Sequence, residues 1–148
     1  MHFELLHPLA SDYAAGVKPN AISCVLRIGN GRAAVLLAGD IERDQERALV
    51  QRGGLLAADV LLAPHHGSKS SSSALLLDAV HPRIALVQAG YRNRFGHPAE
   101  EVVARYLERG VRVVESTRCG AARWTSVQPG DVACERKRHA RYWHHRVP

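Results

Sequence analysis

Residues 58–69 read ADVLLAPHHGSK, two adjacent histidines and a glycine directly after a short apolar run. An imidazole at the end of a buried strand meets water and can accept a metal. Asp40 closes another apolar run, RAAVLLAGD; His7 follows FELL; His97 lies in YRNRFGHP, after RIALVQAG. Polar candidates thus recur at the C-terminal ends of apolar runs, where open α/β sheets gather their functional groups. An aspartate with two histidines supplies the oxygen and nitrogen donors that Zn²⁺ or Mn²⁺ accepts, and a carboxylate can bridge a metal pair. On extended backbone the side chains of His65 and His66 point to opposite faces, so one would ligate while the other faces substrate. Each residue alone also has a plain structural reading: Asp40 as a turn residue, His7 and His97 as loop histidines before proline. The recurrence carries the functional reading.

The elements that must position these groups follow from pattern. FELL is a short strand ended by His7 and Pro8, and ASDYAAGVKPN is a loop. AISCVLRI, the turn GNG and RAAVLLAGD form a hairpin. IERDQERALVQRGG spaces Ile41, Ala48 and Leu49 for a helix that stops at glycines, and ADVLLAP is the next buried strand. The serines at 70–73 can cap the helix SALLLDAVHP, which leads into the strand RIALVQAG. PAEEVVARYLERG opens a longer helix with Pro98 and two glutamates, before the strands VRVVES and GAARWTSVQ. After the hairpin, strands and helices alternate without repeat or linker, which predicts an α/β layered domain.

The length of 148 residues suits one core. The formal charge of +6 favours polyanionic partners, and much of it sits in the tail CERKRHARYWHHRVP, at Arg136, Lys137, Arg138, Arg141 and Arg146. The domain is therefore assigned to residues 1–135 and the basic tail to 136–148. Cys24, Cys119 and Cys134 are odd in number and widely spaced, so neither a disulfide framework nor a zinc ribbon is implied and the redox compartment stays open. No run is apolar enough to span a membrane and MHFELLHP lacks leader character, so the chain by itself is expected to be soluble and unexported.

LHP, PNAISCVLRI, LLAGDIERDQE, ADVLLAPHHGSKSSS, QAGYRNRFGHP and the closing RYW together resemble the C-terminal metallo-β-lactamase-like domain of the ComEC family of DNA-uptake channel proteins. The resemblance covers nearly the whole chain. It implies an αββα sandwich with metals at one edge, in which His7, Asp40 and His66 look like metal ligands and His65 and His97 like catalytic, substrate-facing histidines. Within the same motifs Ser68, Asn93 and Arg94 are the expected substrate contacts. The family's His-x-His-x-Asp-His motif is missing, so the chain reads as the second half of such a domain. Half a sandwich should leave an apolar sheet face and an open strand edge.

The implied activity is a two-metal, Zn- or Mn-dependent phosphodiesterase acting on DNA, proposed for the family on the strand that is not imported. Tyr91, Phe95, Tyr142 and Trp143 lie beside arginines and would suit base stacking. The implied partners are DNA and the membrane channel of a parent protein, with the domain on the outer, periplasmic side of the inner membrane. Two other readings stand beside it: a catalytically incomplete remnant that only binds DNA or a partner, and a hydrolase of other phosphodiesters, lactams or thioesters.

Overall fold

The computed structural model describes residues 1–13 and 16–143. Its framework is a six-stranded sheet in sequential order: β1 (His2–His7), β2 (Val25–Gly29), β3 (Ala34–Leu37), β4 (Val60–Leu62), β5 (Ile84–Val87) and β6 (Arg112–Glu115). β2 runs antiparallel to both β1 and β3, and the pairs from β3 to β6 are parallel. Hence β1 and β3–β6 share one direction, and their C-terminal ends line one edge. The α/β layered architecture expected from the alternation is what forms.

The crossovers are α1 (Arg43–Gln51), α2 (Ala74–Val80) and α3 (Glu100–Leu107). They cover the face that carries Leu36, Leu61 and Ala85, packing on it through Leu49, Leu76, Leu77, Val80, Val102 and Tyr106. Ser73 caps α2 by accepting from the Leu76 amide at 3.3 Å, as the serine run suggested. β4 is apolar on both sides because both of its faces are covered.

On the other face, a short helix α4 (Ser116–Cys119) and the hairpin β7 (Ala122–Trp124) and β8 (Val132–Cys134) pack on Val60, Ile84 and Val114. A Cys119–Cys134 disulfide ties this hairpin, contrary to the cysteine reading from sequence. Parity and spacing could not show it, because the hairpin alone brings the two residues together. Cys24 is free and exposed.

The hairpin reaches only half of that face. Across β1–β3, the rows Phe3–Ile28–Val35 and Leu5–Leu26–Leu37 continue the apolar surface, and Phe3 and Leu5 are 63% and 61% exposed. An apolar, half-covered face ending in the edge strand β1 is therefore present.

Several boundaries differ from expectation: the strand expected over GAARWTSVQ is only Ala122–Trp124, and α3 ends at Leu107 rather than at Gly110. β2 begins at Val25 because Pro19–Ile22 closes a single 3₁₀ turn. α3 begins at Glu100, since Pro98 and Ala99 are committed to packing against Gly67. The tail begins inside the short helix α5 (Glu135–Arg138), and residues 144–148, with Arg146, lie outside the described residues. Among the described residues no helix is long and apolar enough to cross a membrane.

Candidate active site at the strand ends

The turn Pro64–Gly67 leaves β4 with three successive left-handed residues: His65 (φ 47°), His66 (φ 57°) and Gly67 (φ 79°). For a residue bearing a Cβ this conformation costs about 1–2 kcal/mol, so the surroundings must impose it. They do so from several sides. The His65 amide donates to Gly39 O (2.9 Å), the Ser71 hydroxyl to Pro64 O (2.7 Å) and the Ala99 amide to Gly67 O (2.9 Å). A Cβ on Gly67 would lie 2.8 Å from Pro98 Cβ, so PHHG and GHPA require glycine for their contact. The extended backbone assumed from sequence for His65 and His66 is thus not what occurs. Their side chains nevertheless separate, one toward Asp40 and the other toward Glu42.

His66 Nδ1 lies 2.8 Å from the Gln88 carbonyl, and a carbonyl can only accept, so Nδ1 carries the hydrogen. In the neutral ring Nε2 then presents a lone pair, 3.6 Å from Asp40 Oδ1. Two acceptors facing each other at this partly exposed place leave a gap that a donor or a cation can bridge. A backbone carbonyl on the distal nitrogen is also the usual support of a metal-ligating histidine. Asp40 is itself anchored, its amide donating to Ser23 Oγ at 2.9 Å, while a Cβ on the preceding Gly39 would meet Cys24 O at 2.8 Å. This partly exposed nitrogen–oxygen pair fits a divalent cation as part of its coordination shell.

His65 and His97 face each other with ring centroids 6.0 Å apart, and Phe95 stacks on His97 at 5.8 Å. Each histidine has a buried Nδ1 without a hydrogen-bond partner among the described residues. That of His65 is 3.2 Å from Glu42 Oε1, near enough for an ion pair but not aligned as a hydrogen bond. Burial, then the neighbouring charges of His65 and His66, hold the His97 pKa below its ordinary value. A neutral ring that can take or give a proton is the result.

The other expected residues are placed as follows. Arg94 is exposed, its guanidinium 4.8 Å over the Phe95 ring. The Asn93 amide is consumed by its own loop: it donates to Gly90 O and His97 O and accepts from the Phe95 and His97 amides. It shapes the loop and has no free valence for substrate in this conformation. Ser68 is half-buried and its hydroxyl engages Ser70 at 3.1 Å.

His7 is buried, and its Nε2 donates to Ala21 O at 2.8 Å. Its Nδ1 faces Asp12 Oδ2 (3.2 Å) and Arg52 (3.4 Å), which are themselves bonded at 2.7 Å. The Leu9 amide and Arg52 keep the Asp12 carboxyl below its usual range. Serving a metal would require His7 to exchange these partners for the cation. Among the described residues, no three His, Cys, Asp or Glu side chains form a metal-holding group.

Sequence reading missed Glu42 and Asn20 beside His65, the Asp12–Arg52 pair on His7, and Glu46. Glu46 is fully buried and accepts from the Ser72 and Ser73 amides at 2.6 and 2.8 Å. Ser72 also bonds Tyr106, and Arg105 donates to Ser71 and Ser72 carbonyls, so the serine run is a buried hub beneath the histidine turn. A charge on the apolar side of α1 was the available signal.

Fold and site together define an α/β domain with a histidine- and carboxylate-lined centre on the strand-end edge. No protein-family model matches the chain. It is 35% identical over 99% of its length to competence protein ComA of Neisseria gonorrhoeae. It is 31% identical over 84% to ComE operon protein 3 of Bacillus subtilis, and 37% identical over 79% to recombination protein 2 of Haemophilus influenzae. The chain is therefore homologous to a segment of the ComEC-family competence proteins. It spans only 21%, 16% and 14% of these relatives' lengths.

Proposed function

We propose that the chain is the second half of a metallo-β-lactamase-like hydrolytic domain that cleaves DNA phosphodiesters within a DNA-uptake protein. The observation that carries this reading is His66 Nε2, deprived of its hydrogen by Gln88 and facing Asp40 at 3.6 Å. Asp40 and His66 would hold Zn²⁺ or Mn²⁺, joined by His7 once its Nδ1 is released. A divalent cation bound there supplies Lewis-acid polarisation of a phosphate oxygen and acidifies a water. The protein's part is to orient and to move protons. His97, held neutral, passes a proton at its ring nitrogen with His65 beside it; Arg94 meets phosphate and Phe95 a base. In this reading the domain belongs to a membrane-attached parent on the periplasmic side and acts on the strand that is not imported.

The engagement of His7 with Ala21, Asp12 and Arg52 favours a second reading, a strand-binding segment without hydrolysis of its own. Calorimetric titration with Zn²⁺ or Mn²⁺ separates the roles. The wild-type chain is expected to bind weakly, His66→Ala and Asp40→Ala to lose binding, and His65→Ala to keep it. In the complete domain His65→Ala should cost about 10² in turnover on DNA with metal content unchanged. Unaltered metal binding in His66→Ala and Asp40→Ala would refute the assignment.

A further inference from the structure

At the sheet edge opposite the histidines, a cavity of about 700 Å³ is lined by Arg27, Arg32 and Arg83, together with His2 and His81. The starts of β1, β3, β4 and β5 and the end of β2 build it. Two arginines elsewhere are held by close carboxylates, Arg52 by Asp12 and Arg109 by Asp78, both at 2.7 Å. The arginines here are not. Arg27 spends Nε on Ala57 O at 3.1 Å, and a Cβ at Gly29 would stand 3.3 Å from its Nη1, so a bare glycine leaves room for this guanidinium. Arg83 has only a long 3.8 Å approach to Asp59, whose other oxygen accepts from the Ala34 amide at 2.9 Å. Arg32 is exposed, and its side chain has no hydrogen bond or ion pair among the described residues. Glu4, across the strand pair from Arg27, is the remaining carboxylate of the lining.

Guanidinium forks lining one cavity with N–H groups to spare match the oxygens of a phosphate, which such a fork can bind bidentately. We propose that this cavity is a phosphate-binding groove, distinct from the strand-end centre, that takes the phosphate of a nucleic-acid strand or a free phosphate. It does not depend on hydrolysis at the other edge, so its test excludes metal.

In EDTA, the anisotropy of a labelled oligo-dT strand is titrated with the full chain, with R32Q/R83Q, and with R47Q/R123Q as a charge-matched control. For two lost phosphate contacts the affinity should fall about tenfold at low salt and the log–log salt slope by about 1.4, the control pair remaining near wild type. In a second arm, inorganic phosphate is titrated while the Gly29 and Gly31 amide resonances are followed in wild type and R32Q/R83Q. Strand loss without resonance shifts assigns the groove to a strand backbone. Shifts abolished in R32Q/R83Q, without strand loss, assign it to free phosphate. Equal losses in both variant pairs, or neither effect, overturn the proposal.

Discussion

Gly67→Ala tests whether the histidine turn leans on the 97–99 segment. The substitution meets two separate penalties. At φ 79° an alanine adopts the left-handed region at a cost of about 1–2 kcal/mol. The added Cβ would also stand 2.8 Å from Pro98 Cβ and 3.2 Å from Pro98 Cα. Neither neighbour is the free end of a flexible chain, so relief requires backbone movement, an overpacking cost of about 1–3 kcal/mol. The total is about 2–5 kcal/mol, a large part of an ordinary domain's stability. Gly96→Ala is the internal control, because Gly96 has φ 66° and nothing within 4 Å of its Cβ position. It meets only the first penalty. Urea unfolding of both variants should therefore separate them by about 1–3 kcal/mol, the steric share. Indistinguishable midpoints would refute the claim that Pro98 and Gly67 fix the turn by contact.

Burial raises the Glu46 carboxyl above its ordinary 4.5, against the lowering effects of Ser73, Ser72 and Arg105, so the folded chain holds this proton more tightly than the unfolded one. Its contribution to stability is present below the unfolded value and is lost as pH rises through the raised folded value; urea midpoints in Glu46→Gln should lack that slope. Reducing the Cys119–Cys134 bond, which spans 15 residues, should cost about 3 kcal/mol in thermal unfolding, and no loss would show that the hairpin is held by packing alone. The exposed Phe3 and Leu5 on edge strand β1 should make the chain self-associate in sedimentation, and Phe3→Glu/Leu5→Lys should return it to monomer; a wild-type monomer at all concentrations would contradict this.

The strand-end arrangement was legible because each parallel strand is an apolar run cut off by a turn residue or histidine, and all such runs end on one edge. The α3 start was misplaced because proline and glutamates signal a first turn locally, whereas Pro98 and Ala99 answer to Gly67, a contact remote in sequence. β8 and the disulfide were invisible for the same reason: Val132–Cys134 is too short to show a period, and its partner strand supplies the order. The serine run by itself suggests only a helix cap. Ser73 does cap α2, but the Ser72 and Ser73 amides also satisfy Glu46, and a buried carboxylate's partners cannot be inferred from a run of serines.

The adjacent histidines show how a correct consequence can rest on a different cause. Alternation on extended backbone sends neighbours to opposite faces because the chain is pleated. His65 and His66 are instead both left-handed, and their separation comes from distinct anchors: the Gln88 carbonyl draws Nδ1 of His66, while Asn20 and Glu42 flank the ring of His65. The difference matters for chemistry. A pleat would only point the rings apart, whereas the carbonyl on His66 also selects its tautomer and turns Nε2 into an acceptor facing a carboxylate. The strained turn is therefore tied to proton placement as well as direction. Gly39, Gly67 and Gln88, although none of them is a candidate ligand, belong to the same device as the residues that are.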